Sequence, residues 1–308
     1  MTSGPHASDS VPSVLATFES ERVRLTGLAY RMTGSYADAE DVVSDAWLRF
    51  ERVDPLTVDR PAAWLTTVTS RLAIDRLRSQ ARRREDYVGP WLPEPVPTAA
   101  AMAVTPDPCP DPAEQVELSE SLTFGFLVVL DRLGPVERAV FLLADVFGEP
   151  YSEIALTVGK SDDACRQIAS RARRKVRDER ADRRSADEHL LAGLVGGLAA
   201  GDMGAVLSLL APDVVLTSDG GPERHAARRP VLGPQRVGRF LVNLAQRTPE
   251  GATMAIEEVN AAPALVIRHP DLPIVMTADR DDSGRVAAVR LLLNPAKLAA
   301  LDEVFEGM

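Results

Sequence analysis

The chain has 308 residues, a formal net charge of −10 at pH 7 and 45% hydrophobic residues. This length predicts two or three domains, and the acidic balance argues against a protein that coats nucleic acid or anionic membrane with its whole surface. The two cysteines, Cys109 and Cys165, lie far apart and outside any metal-ligand spacing. That usage is typical of a reducing compartment, and we expect no disulfide framework, no metal and no cofactor.

Residues 1–13 lack the basic and apolar regions of a secretory signal, and we expect them to be disordered. The longest apolar run, residues 190–201, is too short and too rich in glycine to cross a bilayer. The sequence therefore predicts a cytoplasmic protein without membrane contact.

Residues 14–86 are predicted to form a first helical domain. Apolar residues recur there at helical spacing, first at Leu25, Leu28, Ala29 and Met32, and then at Ala39, Val42, Val43 and Ala46. A turn at residues 34–36 separates the two runs.

Residues 87–112 contain eight prolines, so they cannot form a regular helix or a central strand. We interpret this segment as a proline-rich linker that acts as a flexible tether. Residues 113–184 are predicted to form a second helical domain, with loops at residues 133–135, 148–150 and 159–161.

The end of the second domain has the pattern of a helix-turn-helix. A short helix from Tyr151 is followed by a break and a longer helix that Ser161 caps, and nine lysines and arginines lie between Ser161 and Arg184. Ala164, Ile168, Ala172 and Val176 form the predicted inner stripe. The predicted DNA contacts on the other face are Arg166, Gln167, Ser170, Arg171, Arg173, Arg174 and Arg177. A solvated, charge-rich helix is an equal alternative for this run taken alone.

A second basic cluster precedes the linker. Its candidate DNA-binding residues are Trp64, Arg71, Arg76, Arg78, Arg82 and Arg83. Two basic helices on separate modules favour two contacts along one DNA. An amphipathic helix with a solvated face, and a tryptophan in the core, are the alternatives.

Residues 185–308 change character, from two helices to β-branched runs that predict strands, which indicates an α+β domain. The candidate acids and bases there are Asp213, Asp219, His225, His269 and Asp279. Their spacing shows no close pairing, and surface or turn roles are favoured for each. A pocket in this domain leaves room for an unknown small-molecule ligand.

Two motifs in the helical domains resemble the extracytoplasmic-function sigma factors of bacterial RNA polymerase. YRMTGSYADAEDVVSDAWLRF (Tyr30–Phe50) and RPAAWLTTVTSRLAIDRLR (Arg60–Arg78) are similar to the polymerase-binding and −10-reading parts of sigma region 2, and residues 133–177 resemble region 4, which reads the −35 element. The resemblance implies that core RNA polymerase and promoter DNA are the partners and that the chain is not an enzyme. It also implies that the polymerase contacts are Glu40, Asp41, Asp45 and Trp47.

Three short motifs narrow the resemblance to the subgroup with a SnoaL-like C-terminal extension, the sigma J type. They are WLPEP at residues 91–95, DGG at 219–221 and NPAKL at 294–298. Pro222 and Ala296 depart from the subgroup pattern. The resemblance implies a cone-shaped α+β fold and a regulatory interface between domains. The implied interface residues are Trp91, Leu92, Pro93, Asp219, Gly220, Asn294, Pro295, Lys297 and Leu298.

Three functions therefore compete. The first is a sigma factor whose activity a fused domain modulates, and the second is a ligand-sensing helix-turn-helix regulator. The third is an isomerase or cyclase with a DNA-binding appendage. The motif at residues 30–50 favours the first, because the second has no need for a polymerase-binding module.

Overall fold

The computed structural model describes residues 14–54, 57–84, 87–98, 119–180 and 183–306. The predicted disorder of residues 1–13 and most of the second half of the proline-rich linker lie outside these ranges. The side chains of residues 82–84, 180, 300 and 302–306 are not described either.

Three helices form the first unit: α1 (Val14–Thr33), α2 (Tyr36–Phe50) and α3 (Pro61–Arg84). Gly34 takes a φ of 69° after the last residue of α1, a conformation that glycine adopts without steric cost. The Ser35 hydroxyl then accepts a hydrogen bond from the Asp38 amide at 3.2 Å and caps α2. The turn lies at the predicted residues.

The second unit contains α4 (Phe124–Leu130), α5 (Pro135–Phe141), a π-helical turn (Leu142–Val146), α6 (Tyr151–Val158) and α7 (Asp162–Arg180). The breaks between them fall at the predicted glycines and prolines. Gly159 ends α6 with a φ of 67°, and the Ser161 hydroxyl accepts from the Ala164 amide at the start of α7. The buried stripe of α7 differs from the predicted one: Cys165 and Ala169 are fully buried, together with Ala172 and Val176.

The two helical units share one hydrophobic core, which differs from the predicted pair of modules on a flexible tether. The cluster runs without interruption from Phe18 in α1 to Val176 in α7. Two buried arginines cross the boundary: Arg31 donates to the Ser121 hydroxyl at 2.9 Å, and Arg138 donates to the Met32 carbonyl at 2.6 Å. Burial lowers the pKa of Arg31 to about 9.

The C-terminal unit is a mixed sheet with helices, which confirms the predicted α+β class. Its strands are β1 (Arg184–Ser185), β2 (Leu210–Asp219), β3 (Val231–Leu232), β4 (Thr253–Val259), β5 (Ala262–Arg268), β6 (Ile274–Arg280) and β7 (Val286–Leu292). Its helices are α8 (Glu188–Ala199), α9 (Met203–Leu209), α10 (Pro234–Ala245) and α11 (Pro295–Glu306). The strand order is β3-β2-β7-β6-β5-β4, with β1 on β6. Strands β2 and β7 are parallel and the other pairs are antiparallel.

The two faces of this sheet have different neighbours, because successive strand residues point to opposite sides. Met276 and Leu291 pack in the cluster beneath α8 and α10. On the other face Val275 belongs to a cluster with Leu92 of the linker and Phe124 of α4. The C-terminal sheet therefore lies directly against the linker and the second helical unit.

The described part of the linker, residues 87–98, is extended and docked, in contrast to the predicted tether. Leu92 and Val96 are only 1% and 2% exposed, and Pro97 forms a β-bridge with Val259. The prolines prevent a helix here, as expected, but side-chain burial rather than local stiffness holds the segment in place.

Candidate nucleic-acid interface and interdomain junction

The basic helix α7 presents most of its predicted DNA contacts to solvent. The exposed ones are Arg166, Gln167, Ser170, Arg171, Arg174 and Arg177. Arg173 is only half-exposed, because it donates to Asp145 at 2.7 Å and to the Tyr151 hydroxyl at 2.9 Å. Arg166 pairs with Asp163 at 2.7 Å on the surface, a contact weak enough for a nucleic acid to replace.

The second basic cluster, on α3, is mostly engaged within the protein. Arg71 donates to the carbonyl oxygens of Leu156 and Thr157 at the end of α6, at 2.7 and 3.1 Å. Arg76 bonds to the carboxylates of Asp38 and Asp41 on α2. The predicted DNA-facing roles of Arg71 and Arg76 are therefore not met in this conformation, because nearer acceptors take their donors.

The remaining members of that cluster are dispersed. Trp64 is half-buried, and its ring lies 5.5 Å from that of Phe50, which matches the alternative of a tryptophan in the core. Arg78 is exposed and pairs with Asp75 at 3.0 Å. The side chains of Arg82 and Arg83 lie outside the described residues.

A groove of about 860 Å³ runs between α1 and α2. Its lining includes Phe18, Trp47 and the exposed Leu48, and Glu40 lies at its edge. Two of the four residues predicted to bind the polymerase thus share this groove, whereas Asp41 pairs with Arg76 and Asp45 is exposed elsewhere on α2. An apolar groove with an acidic edge suits an amphipathic partner that carries basic residues.

The three short motifs meet at a buried ion pair. Asp219 is fully buried, and its carboxylate accepts from Lys297 Nζ at 2.7 Å and from the Leu92 amide at 2.9 Å. Lys297 also donates to the Leu92 carbonyl at 2.5 Å, and its ammonium lies 4.1 Å from the centroid of the Trp91 ring. The pair thus binds both the donor and the acceptor of one linker peptide, and the predicted turn role of Asp219 is only part of what it does.

Further residues of the same motifs complete this junction. The Asn294 amide donates to the Tyr87 hydroxyl at 3.0 Å, and Tyr87 in turn donates to Asp219 at 2.5 Å. Leu298 is buried in the cluster that holds Leu92. The remaining predicted members are Pro93 and Gly220, which are buried, and Pro295, which begins α11.

Close approach explains two glycines at the junction. A Cβ on Gly221 would lie 2.6 Å from the Asn294 amide nitrogen, and one on Gly34 would lie 2.7 Å from the Trp91 ring. Trp91 therefore reaches from the ion pair to the turn between α1 and α2. The linker connects the C-terminal unit to the first helical unit through this ring.

Glu94, which we did not predict as a site residue, caps α2 from the linker. Its carboxylate accepts from the Ser35 hydroxyl at 2.9 Å and from the Tyr36 amide at 2.6 Å. Burial raises the pKa of Glu94, while the hydrogen bond from Ser35 opposes that rise. Its place in the motif at residues 91–95 was a signal, but only the fold shows which helix it caps.

Asn260 is a second residue that sequence reasoning missed. It is fully buried at the tip of the β4–β5 hairpin. Its side chain accepts from the Val96 amide at 3.0 Å and donates to the Tyr30 hydroxyl at 2.7 Å and the Leu122 carbonyl at 3.1 Å. One side chain of the C-terminal unit thus touches both helical units and the linker.

The candidate acids and bases do not converge on a pocket. An apolar cavity of about 280 Å³ lies between α8, α10 and the sheet, lined by aliphatic residues, alanines, methionines and Thr248. Asp279 faces the other side of the sheet and pairs with Arg290 at 2.6 Å, so its predicted surface or turn role is wrong, because it lies buried within β6. Asp213 and His225 are exposed, and His269 accepts from the Asp271 amide at 3.0 Å.

Comparison with known proteins connects these surfaces to one family. Residues 17–83 match the family model Sigma-70 region 2, and residues 125–176 match Sigma-70, region 4. The chain is 44% identical over 241 residues to the ECF RNA polymerase sigma factor SigJ of Mycobacterium tuberculosis, which covers 77% of this chain and 75% of that protein. The chain is an extracytoplasmic-function sigma factor.

Two further similarities extend across the sigma factor. The ECF RNA polymerase sigma factor SigE of Mycolicibacterium smegmatis is 32% identical over 156 residues, which are 50% of this chain and 56% of that protein. The crystal structure of M. tuberculosis SigJ aligns with a TM-score of 0.72 at 34% identity, covering 93% of this chain and 99% of that one. The sigma factor thus combines two all-α regions, 2 and 4, with a SnoaL-like α+β domain.

The family establishes the function at the level of the whole chain. The sigma factor directs transcription initiation with core RNA polymerase and promoter DNA as partners. Within the described part of the chain, no helix is both long and apolar enough to span a bilayer.

Proposed function

We propose that the C-terminal domain of this sigma factor modulates its promoter activity through the linker. The observation that carries the proposal is the buried Asp219–Lys297 pair, which binds both polar groups of the Leu92 peptide. A buried ion pair contributes little net stability but is costly to break on one side only. The pair therefore suits a contact whose purpose is to hold the linker in one position.

The roles of the remaining residues follow as part of this proposal. The groove beside Trp47 and Glu40 receives the polymerase, and the exposed face of α7 reads the −35 element. The exposure of Arg166, Arg171 and Arg177 supports that role for α7. The α3 cluster contacts the −10 element only after Arg71 and Arg76 leave their present partners.

We further propose that the chain acts in the cytoplasm and catalyses no reaction of its own. The absence of a candidate acid or base from the described lining of the apolar cavity supports a non-catalytic domain, because acid–base catalysis needs such a group within hydrogen-bond reach of a substrate. The cavity is also small for a drug-sized ligand. Nothing about it favours the isomerase or the ligand-sensing regulator over the sigma factor.

Run-off transcription tests the proposal directly. Purified core polymerase would be combined with the full chain, or with a chain truncated before Asn294, on a library of promoter fragments at two salt concentrations. We expect the full chain to initiate at specific promoters, and the truncated chain to bind polymerase but show altered initiation. Unaltered transcription by a folded truncated chain would contradict a regulatory role for α11 and the Asn294–Leu298 motif.

A further inference from the structure

The tip of the β4–β5 hairpin has a geometry that asparagine fits well. Asn260 and Ala261 have φ values of 53° and 56°, as in the two-residue turns that match strand twist. Asparagine tolerates this left-handed conformation better than most residues, and alanine adopts it at a cost. A carboxamide also offers two donors and an acceptor on a short side chain, and the Asn260 amide uses both kinds.

The partners of Asn260 belong to three different parts of the sigma factor. The Tyr30 hydroxyl belongs to region 2, and the Leu122 carbonyl immediately precedes α4 of region 4. Val96 belongs to the linker, and it exchanges hydrogen bonds with both the side chain and the backbone amide of Asn260. Because the residue is fully buried, losing any of these bonds leaves polar groups without water.

Regions 2 and 4 are in direct contact in this arrangement. Arg60 pairs with Glu153 at 2.6 Å, and the hydroxyls of Thr67 and Thr157 lie 3.2 Å apart. Arg71 donates to the last carbonyls of α6. The face of α3 that carries Arg71 is therefore covered by the first helix of the helix-turn-helix.

This closed arrangement is too short for a promoter. The −35 and −10 elements lie about 25 base pairs apart, which is roughly 85 Å along B-form DNA. From Thr157, which contacts Arg71, the chain reaches Arg177 through five extended residues and four turns of α7, a distance of at most roughly 40 Å. Arg71 and the far end of α7 therefore cannot reach both elements while this contact lasts.

We propose that Asn260 is the latch by which the C-terminal domain keeps regions 2 and 4 closed, and that the closed form does not recognise promoters. This inference rests on the proposed function and specifies its regulation. The C-terminal domain is inhibitory in the free chain, and promoter recognition requires that Asn260 release Tyr30 and Leu122.

The first experiment locks the closed form. Cysteines replace Thr67 and Thr157 in a Cys109→Ser background, since the hydroxyls are close enough for a disulfide after small adjustments, and Cys165 is buried. With core polymerase, we expect initiation to fall to background after oxidation with diamide and to return with dithiothreitol. Thr67→Cys alone, treated in the same way, is the matched control.

Three outcomes of this experiment are distinguishable. Full initiation by the oxidised, cross-linked protein would overturn the claim that the closed form is inactive. Failure of the reduced protein and of the unmodified chain to initiate would instead contradict the proposed function. Loss that is reversed by reduction in the double variant, with no change in the control, supports the latch.

The second experiment tests Asn260 itself. Asn260→Asp keeps the shape but removes the two donors, and Asn260→Gly keeps the backbone conformation while removing the side chain. In the two-cysteine protein we expect both to slow disulfide formation by roughly 5- to 150-fold, the usual range for coupling between sites. Ala261→Gly eases the backbone and leaves the side-chain contacts, so it should cross-link at the parental rate. Parental rates for both Asn260 variants, folded by circular dichroism, would overturn the latch.

Discussion

Lys297 shows how one residue fastens the linker to the C-terminal domain. Its side chain is only 8% exposed and that of its partner Asp219 is fully buried. The ammonium also contacts the Leu92 carbonyl and the Trp91 ring. Removing it would leave a buried carboxylate with neutral donors only.

We therefore predict that Lys297→Met lowers the free energy of unfolding by roughly 3–5 kcal/mol, the cost of leaving one buried charge unpaired. Chemical denaturation followed by circular dichroism measures this. Lys175→Met is the matched control, since its pair with Glu137 is partly exposed on both sides and exposed pairs contribute about 0–1 kcal/mol. Equal losses in the two variants would show that burial of the Asp219 pair has no special effect.

The exposed arginines of α7 should divide by role. Arg171→Ala is expected to cost roughly 1–3 kcal/mol at the −35 element and to relax sequence preference, whereas Arg177→Ala should weaken binding evenly and flatten its salt dependence. Electrophoretic shifts of the holoenzyme on matched and mutated −35 sequences separate the two effects. An equal loss on all sequences for both variants would contradict a base-reading role for Arg171.

At the scale of elements, α4 of region 4 packs against the C-terminal sheet through Gly125. A Cβ at this position would lie 2.8 Å from Asp279 Oδ2, and Asp279 cannot easily move because Arg290 pairs with it at 2.6 Å. The missing side chain lets the helix approach the strand closely. Glycine here has a packing reason that outweighs its weak helix propensity.

Gly125→Ala should consequently destabilise the protein by about 1–3 kcal/mol, the usual cost of overpacking, although alanine favours a helix. Gly196→Ala in α8 is the control, because open space surrounds that position. It should stabilise by roughly 0.5–1 kcal/mol. Thermal unfolding of both variants gives the comparison, and stabilisation by Gly125→Ala would show that α4 and the sheet are not tightly docked.

At the scale of the whole molecule, charge and closure act in the same direction. The net charge of −10 repels the DNA backbone, and the closed arrangement covers α3. Positive charge is concentrated on α7, so the free sigma factor retains one accessible DNA-binding surface. The polymerase then supplies the remaining electrostatic attraction to the promoter.

The free chain is accordingly predicted to bind a promoter duplex much more weakly than its complex with core polymerase. Fluorescence anisotropy at two salt concentrations measures both affinities. We expect the free chain to show the shallower salt dependence, since fewer phosphates are neutralised. Equal affinities and slopes would mean that neither closure nor net charge restrains the free protein.

The amino-acid sequence by itself determined the elements and the family. Helix ends at Gly34, Gly159 and Ser161 follow from backbone conformation and capping, which depend on neighbouring residues. The basic stripe of α7 and the motifs at residues 30–50 and 133–177 are likewise local patterns. They were enough to predict two helical domains, an α+β domain and a sigma factor.

Only the tertiary structure decided which residues meet across the domains. Arg71 faces the end of α6 rather than solvent, Glu94 caps α2, and Asn260 joins the C-terminal hairpin to Tyr30 and Leu122. Residues 30 and 260 are far apart in the chain, and their contact depends on how three units dock. Local patterns carry no information on that docking, because it is determined by buried surface and hydrogen bonds summed over the whole interface.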